Sequence, residues 1–216
     1  MSFLITRPNY DPATRYLHAW SQEIITVAKN KKLPVFDLHN KSANKKELSN
    51  RIQKLNPKLV VLNGHGDDDL ITGQDNEPLI EAGKNDDLLH NRITYAVSCR
   101  CGRKLGPKVA RTKGTAFIGY DDDFVFSSDR KFLSRPMEDK RAKPFMEASN
   151  HVAISLLKGH SASESSKRSK EMFETNFKSL LSSASNPDSL QDARFLWWDM
   201  THQVCLGEMD ARMGNL

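Results

Sequence analysis

Cysteine is scarce in this chain of 216 residues, and the three present, Cys99, Cys101 and Cys205, are an odd and sparse set. That argues against a secreted disulfide framework and makes a reducing cytoplasm the expected location. No apolar run approaches the roughly 18 residues that a membrane span needs. The start, Met1 to Thr6, has too short an apolar run for a secretory leader and no basic front. It reads as a first buried strand. Zinc-finger spacing, RNA-binding aromatic motifs, basic heptads and internal repeats are all missing. Cys99 and Cys101 are too close for a usual zinc pair, and His90, His151, His160 and His202 are scattered without ligand spacing. Neither a metal nor a cofactor is therefore expected. The net charge is +5 with a pI near 9.1, and basic residues cluster at 29–32, 100–113 and 130–143. These read as solvated faces rather than a nucleic-acid footprint, so nucleic acid is not an expected partner.

What is present is the composition of a globular domain, 38% apolar and 27% charged. The length suits one domain, 1–216, with a sheet core over 1–126 and an exposed loop plus C-terminal helices over 127–216. Strand and helix patterns alternate through the first half. Phe3 to Thr6, Leu33 to Phe36, Leu59 to Leu62, Ile93 to Val97 and Thr115 to Gly119 read as strands. Leu70 to Thr72 and Leu79-Ile80 are weaker candidates around a polar turn. Asp11-Pro12 reads as a helix N-cap with proline in the first turn, followed by an apolar face at Leu17, Trp20, Ile24 and Val27. Asn44 with Glu47 resembles a capping box for a second helix. Such alternation implies a mostly parallel sheet with helices on both faces and ligands at the strands' carboxyl ends. Beyond Asp123, residues 127–144 read as a long exposed loop and 160–169 as a mobile connection or frayed helix start. Ser189 is expected to cap a last helix with Leu190, Ala193, Trp197, Met200 and Val204 on one face, Trp197 in the core.

Two of the strong strands end in reactive residues. One ends Asn63-Gly64-His65-Gly66 and the next Val97-Ser98-Cys99, 34 positions on. On neighbouring strands both side chains emerge at one rim. A thiol nucleophile needs a proton-handling group, and imidazole titrates in the right range. Backbone N–H groups of Gly66 and Cys99 are candidate oxyanion donors. An extended chain puts Cys101 on the same side as Cys99, but Cys99 directly follows the apolar strand.

These motifs resemble the caspase-like cysteine peptidase superfamily of caspases, metacaspases, gingipains and separases, and most closely its CHAT-type bacterial branch. Phe117-Ile118-Gly119-Tyr120, the acidic run behind it with Phe124, and Leu206-Gly207-Glu208-Met209 extend the similarity. The resemblance implies a caspase-like three-layer α/β sandwich and a cysteine endopeptidase with a His65–Cys99 dyad and no obligatory third acid. It further implies a protein or peptide substrate, a regulatory partner protein, and a role in prokaryotic defence or regulated proteolysis.

Two acidic runs, Asp67-Asp68-Asp69 and Asp121-Asp122-Asp123, face the same rim. Asp121 or Asp123 at the base of a substrate pocket would select a basic residue. Arg7, ending the first strand, keeps acidic specificity open. Basic residues in 129–143 make self-cleavage there conceivable for an enzyme that cuts after basic residues. The rival from another class is a non-catalytic flavodoxin-like binding module or an inactive caspase-like homologue acting as an adaptor.

Overall fold

A computed structural model describes residues 2–183 and 187–214 of the chain. The first three strands are β1 Phe3–Arg7 and β3 Leu59–Asn63, short buried apolar runs that end in polar residues, and β2 Val35–His39, a half-buried strand with Asp37 in its middle. Between them lie α1 Pro12–Trp20, α2 Gln22–Asn30 and α3 Lys45–Leu55. The Asn44 side chain caps α3 by accepting from the Glu47 N–H, and Asn56 ends it in the left-handed region. A small antiparallel sheet follows, formed by β4 Gly66–Asp67, β5 Leu70–Thr72 and β6 Pro78–Glu81. The chain returns to the main sheet with β7 Ile93–Val97, passes through α4 Leu105–Ala110, and adds β8 Ala116–Tyr120. Helices α5 Lys143–Leu157, α6 Ala162–Ser183 and α7 Pro187–His202 come next, and β9 Gln203–Gly207 closes the sheet.

The main sheet has six strands in the order β2-β1-β3-β7-β8-β9, all pairs parallel except β8 with β9. Strand alternation sends successive side chains to opposite faces. On one face Phe3, Ile5, Val61, Tyr95 and Ile118 pack with Trp20, Ile24 and Val152 from α1, α2 and α5. On the other, Leu4, Val60, Leu62, Ala96 and Phe117 pack with Leu48, Ile52 and Val109 from α3 and α4. This is an α/β architecture with a mostly parallel sheet, helices on both faces and a helical C-terminal portion, as the alternation predicts.

The chain beyond residue 126 departs from the expectations in several places. Residues 162–169 are the ordered start of α6, with Ser165 and Ser169 fully buried. The 127–144 stretch contains two 3-10 turns and is pinned at a buried Asp139, whose carboxylate accepts from the Tyr16 hydroxyl at 2.6 Å and from the Asp129 N–H at 2.8 Å. Helix α7 starts at Pro187, so Ser189 lies within its first turn rather than at its cap. Its buried face carries Asp192, Ala193, Leu196 and Asp199, whereas Leu190 and Trp197 are exposed. An apolarity count assigns aspartates to solvent, and here two of them point inward. Val204 lies in β9, an antiparallel edge strand that the sequence reads as helix.

Candidate active site

The parallel register of β3 with β7 runs to Asn63 opposite Val97, which sets the next residues of both strands side by side. The Gly64 N–H donates to the Val97 carbonyl at 3.3 Å, and the Ser98 hydroxyl to the Gly64 carbonyl at 3.1 Å. Asn63 secures the same rim to β1, its side-chain amide donating to the Thr6 carbonyl at 2.9 Å. Close approach dictates both glycines around His65. A Cβ at Gly64 would lie 2.1 Å from the Thr72 carbonyl oxygen, and one at Gly66 would lie 2.9 Å from both the Cys99 carbonyl oxygen and the Ser98 Cβ. With this crossing, His65 and Cys99 line one cavity of about 150 Å³.

His65 has a partner that the sequence reading assigned only to a helix end. Asp11 caps α1, its Oδ1 accepting from the Thr14 N–H at 2.8 Å, while its Oδ2 lies 2.6 Å from His65 Nε2. Burial pushes the Asp11 carboxyl up, but hydrogen bonds from the Thr14 N–H, His65 and the Thr14 hydroxyl outweigh it, so the net shift is downward. An ionised carboxylate only accepts hydrogen bonds, so Nε2 carries a proton, which leaves Nδ1 as the ring nitrogen that can act as a base. The Tyr10 ring meets the imidazole edge-on, centroids 6.2 Å apart. His65 also lines a second, larger trough of about 510 Å³ that does not include Cys99, together with Tyr10, Asp11, Asp67, Leu70 and Pro78 among others.

The Cys99 thiol is half-buried, with Sγ 4.0 Å from the Phe124 carbonyl oxygen. Burial raises its pKa to about 11, with Asp123 adding to the rise and Arg100 opposing it. The resting sulfur is thus a thiol, and it needs a base. The Cys99 backbone N–H has no acceptor among the described residues, and Arg100 directly behind it sits in the left-handed region at φ 55°. Gly66 lies in β4, close against the Cys99 carbonyl and the Ser98 Cβ, and lines the trough rather than the cavity beside Cys99. Cys101 is fully buried, donates to the Ser98 carbonyl at 3.3 Å and packs against Gly119. It does not line the cavity.

The charged specificity candidates are taken up elsewhere. Asp121 faces His202, Oδ1 to Nδ1 at 2.8 Å. Asp123 lies 3.3 Å from Arg100 Nε, and the same guanidinium reaches Asp67 at 3.4 Å. Arg103 donates to Asp122 and reaches Asp68, joining the two acidic runs. Neither Asp121 nor Asp123 lines the cavity beside Cys99. Arg7 is buried in a two-pronged pair with Asp37 and donates to the His18 carbonyl. A substrate aspartate would have to displace Asp37 to use it. Three basic residues in the turn behind Cys99, Arg100, Arg103 and Lys104, neutralise carboxylates that the sequence pattern offers to a ligand.

The 121–127 segment, which supplies Phe124 and Phe126 to the cavity, is held by α7. Asp199 accepts from the Val125 N–H at 2.9 Å, Trp198 donates to the Asp123 carbonyl at 3.0 Å, and Ser127 donates to Asp192. His202 completes this edge with Asp121, its ring 4.2 Å from that of Trp198. Asp199 is fully buried, and its Oδ2 has no hydrogen-bond partner among the described residues. Burial therefore raises its carboxyl well above the ordinary range despite the Val125 hydrogen bond. No sequence motif marks Asp11 or Asp199 as part of this site. Asp11 could have been found only by asking what its second oxygen does.

No protein-family model matches the sequence, and comparison with curated proteins also returns no match.

Proposed function

We propose that this chain is a caspase-like cysteine endopeptidase in which Cys99 is the nucleophile, His65 the general base and acid, and Asp11 the group that orients His65. The observation that carries the reading is the shared cavity of His65 and Cys99, with an ionised carboxylate 2.6 Å from the imidazole nitrogen. The sheet order and the strand-end positions of both residues are consistent with it.

The chemistry follows from the protonation states. His65 Nδ1 takes the Cys99 proton as Sγ forms a bond to the peptide carbonyl carbon, and the oxyanion faces the Gly66 and Cys99 N–H groups. The imidazolium, stabilised by Asp11, passes that proton to the leaving amine as the C–N bond breaks. Water then adds to the thioester, the S–C bond breaks, and the proton from water returns through His65 to sulfur. The trough beyond His65 suits the leaving-group side of the substrate, because the acid that protonates the amine stands at its edge. A physiological protein substrate and a regulatory partner belong to the same reading.

A second reading, a non-catalytic flavodoxin-like adaptor or inactive homologue, draws on one observation: the resting Cys99 thiol is not activated, its pKa raised to about 11. Labelling with peptidyl acyloxymethyl ketones separates the two. The peptidase reading expects covalent attachment in wild type and Cys101→Ala, and none in Cys99→Ala or His65→Ala. Absence of labelling with every peptide in a varied set sinks it.

A further inference from the structure

The cavity beside Cys99 differs in chemistry from everything around it. Ala13, Leu17, Val97, Phe124 and Phe126 form its walls. It borders two polar side chains besides the reacting pair, and both have partners within the protein. Thr14 Oγ1 receives the Tyr10 and Asp11 N–H groups at 3.1 Å and donates to Asp11, while the Ser98 hydroxyl donates to the Gly64 carbonyl. No aspartate, glutamate, lysine or arginine lines it among the described residues. A charged side chain entering it would lose its hydration without gaining a counter-ion, which is prohibitive beside an apolar alternative. Outside the cavity, the candidate counter-ions are paired, Arg7 with Asp37, Asp121 with His202 and Asp123 with Arg100.

Size narrows the occupant. The volume of about 150 Å³ matches the scale on which an apolar protein cavity accepts a benzene-sized guest. That admits leucine, methionine or phenylalanine, wastes space on alanine and is short for tryptophan. Position fixes what the occupant is part of. Cys99 lines the cavity but not the trough, and the two share only His65, so the guest of the cavity sits at the nucleophile and belongs to the acyl half of the scissile bond.

We infer that this cavity is the specificity pocket and that the protein cleaves after a medium-sized apolar residue, leucine, methionine or phenylalanine, rather than after a basic or acidic one. The inference rests on the peptidase reading above. Ala13, half-buried near the start of α1, lines the pocket with no more than a methyl group, and Phe124 and Phe126, held through Val125 by Asp199, line it as well.

The test maps cleavage sites of the full-length protein in unfolded casein by mass spectrometry, with Cys99→Ala as the blank. Cuts absent from the blank are expected to follow Leu, Met or Phe, with peptides bearing Arg or Asp there at least tenfold slower. Cys99-dependent cuts after Arg, Lys, Asp or Glu overturn the pocket assignment while leaving the peptidase reading standing. No Cys99-dependent cut, together with no acyloxymethyl ketone labelling, overturns both. The variant Ala13→Leu fills the pocket, and its readout is a ratio, the rate on a Leu peptide over that on the matched Ala peptide. A fall of tenfold or more is expected, since one methylene in such a pocket is worth about 10–200-fold. An unchanged ratio refutes the assignment, and should the variant not fold, the wild-type cleavage map still decides.

Discussion

The strand rim and the C-terminal helices contribute to the same site in opposite ways. On the rim, reactive residues stand at the ends of apolar strands, and backbone register alone brings His65 and Cys99 to one cavity. Helix α7 supplies no reacting group. It reaches across with Asp192, Trp198, Asp199 and His202 and holds a neighbouring segment in place. Chemistry is written in short local motifs, whereas the shape of the pocket depends on contacts about 65–80 residues apart in sequence. The two regions also treat burial differently. At Cys99 it suppresses a thiolate until a base acts, and at Asp199 it raises the pKa of a carboxyl that anchors a loop through one oxygen.

The strongest way to break this contrast is at the rim. Cys99→Ala is expected to lower peptide hydrolysis by a factor of about 10³ or more, while Cys101→Ala, outside the cavity, retains the reaction and loses only packing. A steady-state assay of both variants reads the difference directly. The next largest effect is at Asp11, where two roles can be separated. Asparagine caps a helix as well as aspartate, so Asp11→Asn should keep the melting temperature within a few degrees. It cannot stabilise the imidazolium, so kcat should fall by about 10²–10⁴-fold. Equal losses in stability and activity would reduce Asp11 to a cap.

The thiol offers a third test. With a pKa near 11 rather than the usual 9, Cys99 should hold roughly 100-fold less thiolate at pH 8 than an ordinary cysteine. Iodoacetamide labelling of the resting protein should be correspondingly slow at pH 8 and still rising at pH 10. Fast labelling that plateaus below pH 8 would mean a preformed ion pair.

The smallest effect belongs to α7. A carboxyl raised in the folded state keeps its proton after the unfolded chain has ionised, so stability falls as pH rises above about 4. At Asp199 that loss amounts to at most about 1.4 kcal/mol per pH unit, ending at the folded pKa. Asp199→Asn keeps an acceptor for Val125 and does not ionise. Urea melts at pH 5 and pH 7 should therefore show wild type losing ground to Asp199→Asn as pH rises. A gap independent of pH would mean that Asp199 ionises freely in the folded protein.

The sequence by itself determined the alternation of apolar strands and amphipathic helices, hence the parallel sheet, and the strand-end placement of His65 and Cys99. Those follow from periodicity and local punctuation, which a linear reading captures. Tertiary structure decided the rest. Asp11 shares its oxygens between a helix end and an imidazole 54 residues away. Of the acidic runs that suggest a basic substrate, Asp67, Asp68, Asp122 and Asp123 pair with Arg100 and Arg103, and Asp121 pairs with His202. The inward face of α7 carries two aspartates beside Ala193 and Leu196, where an apolarity count assigns aspartates to solvent. In each case the deciding term is a pairing between charged or polar groups distant in sequence, and sequence shows that such groups exist without showing which of them are already satisfied.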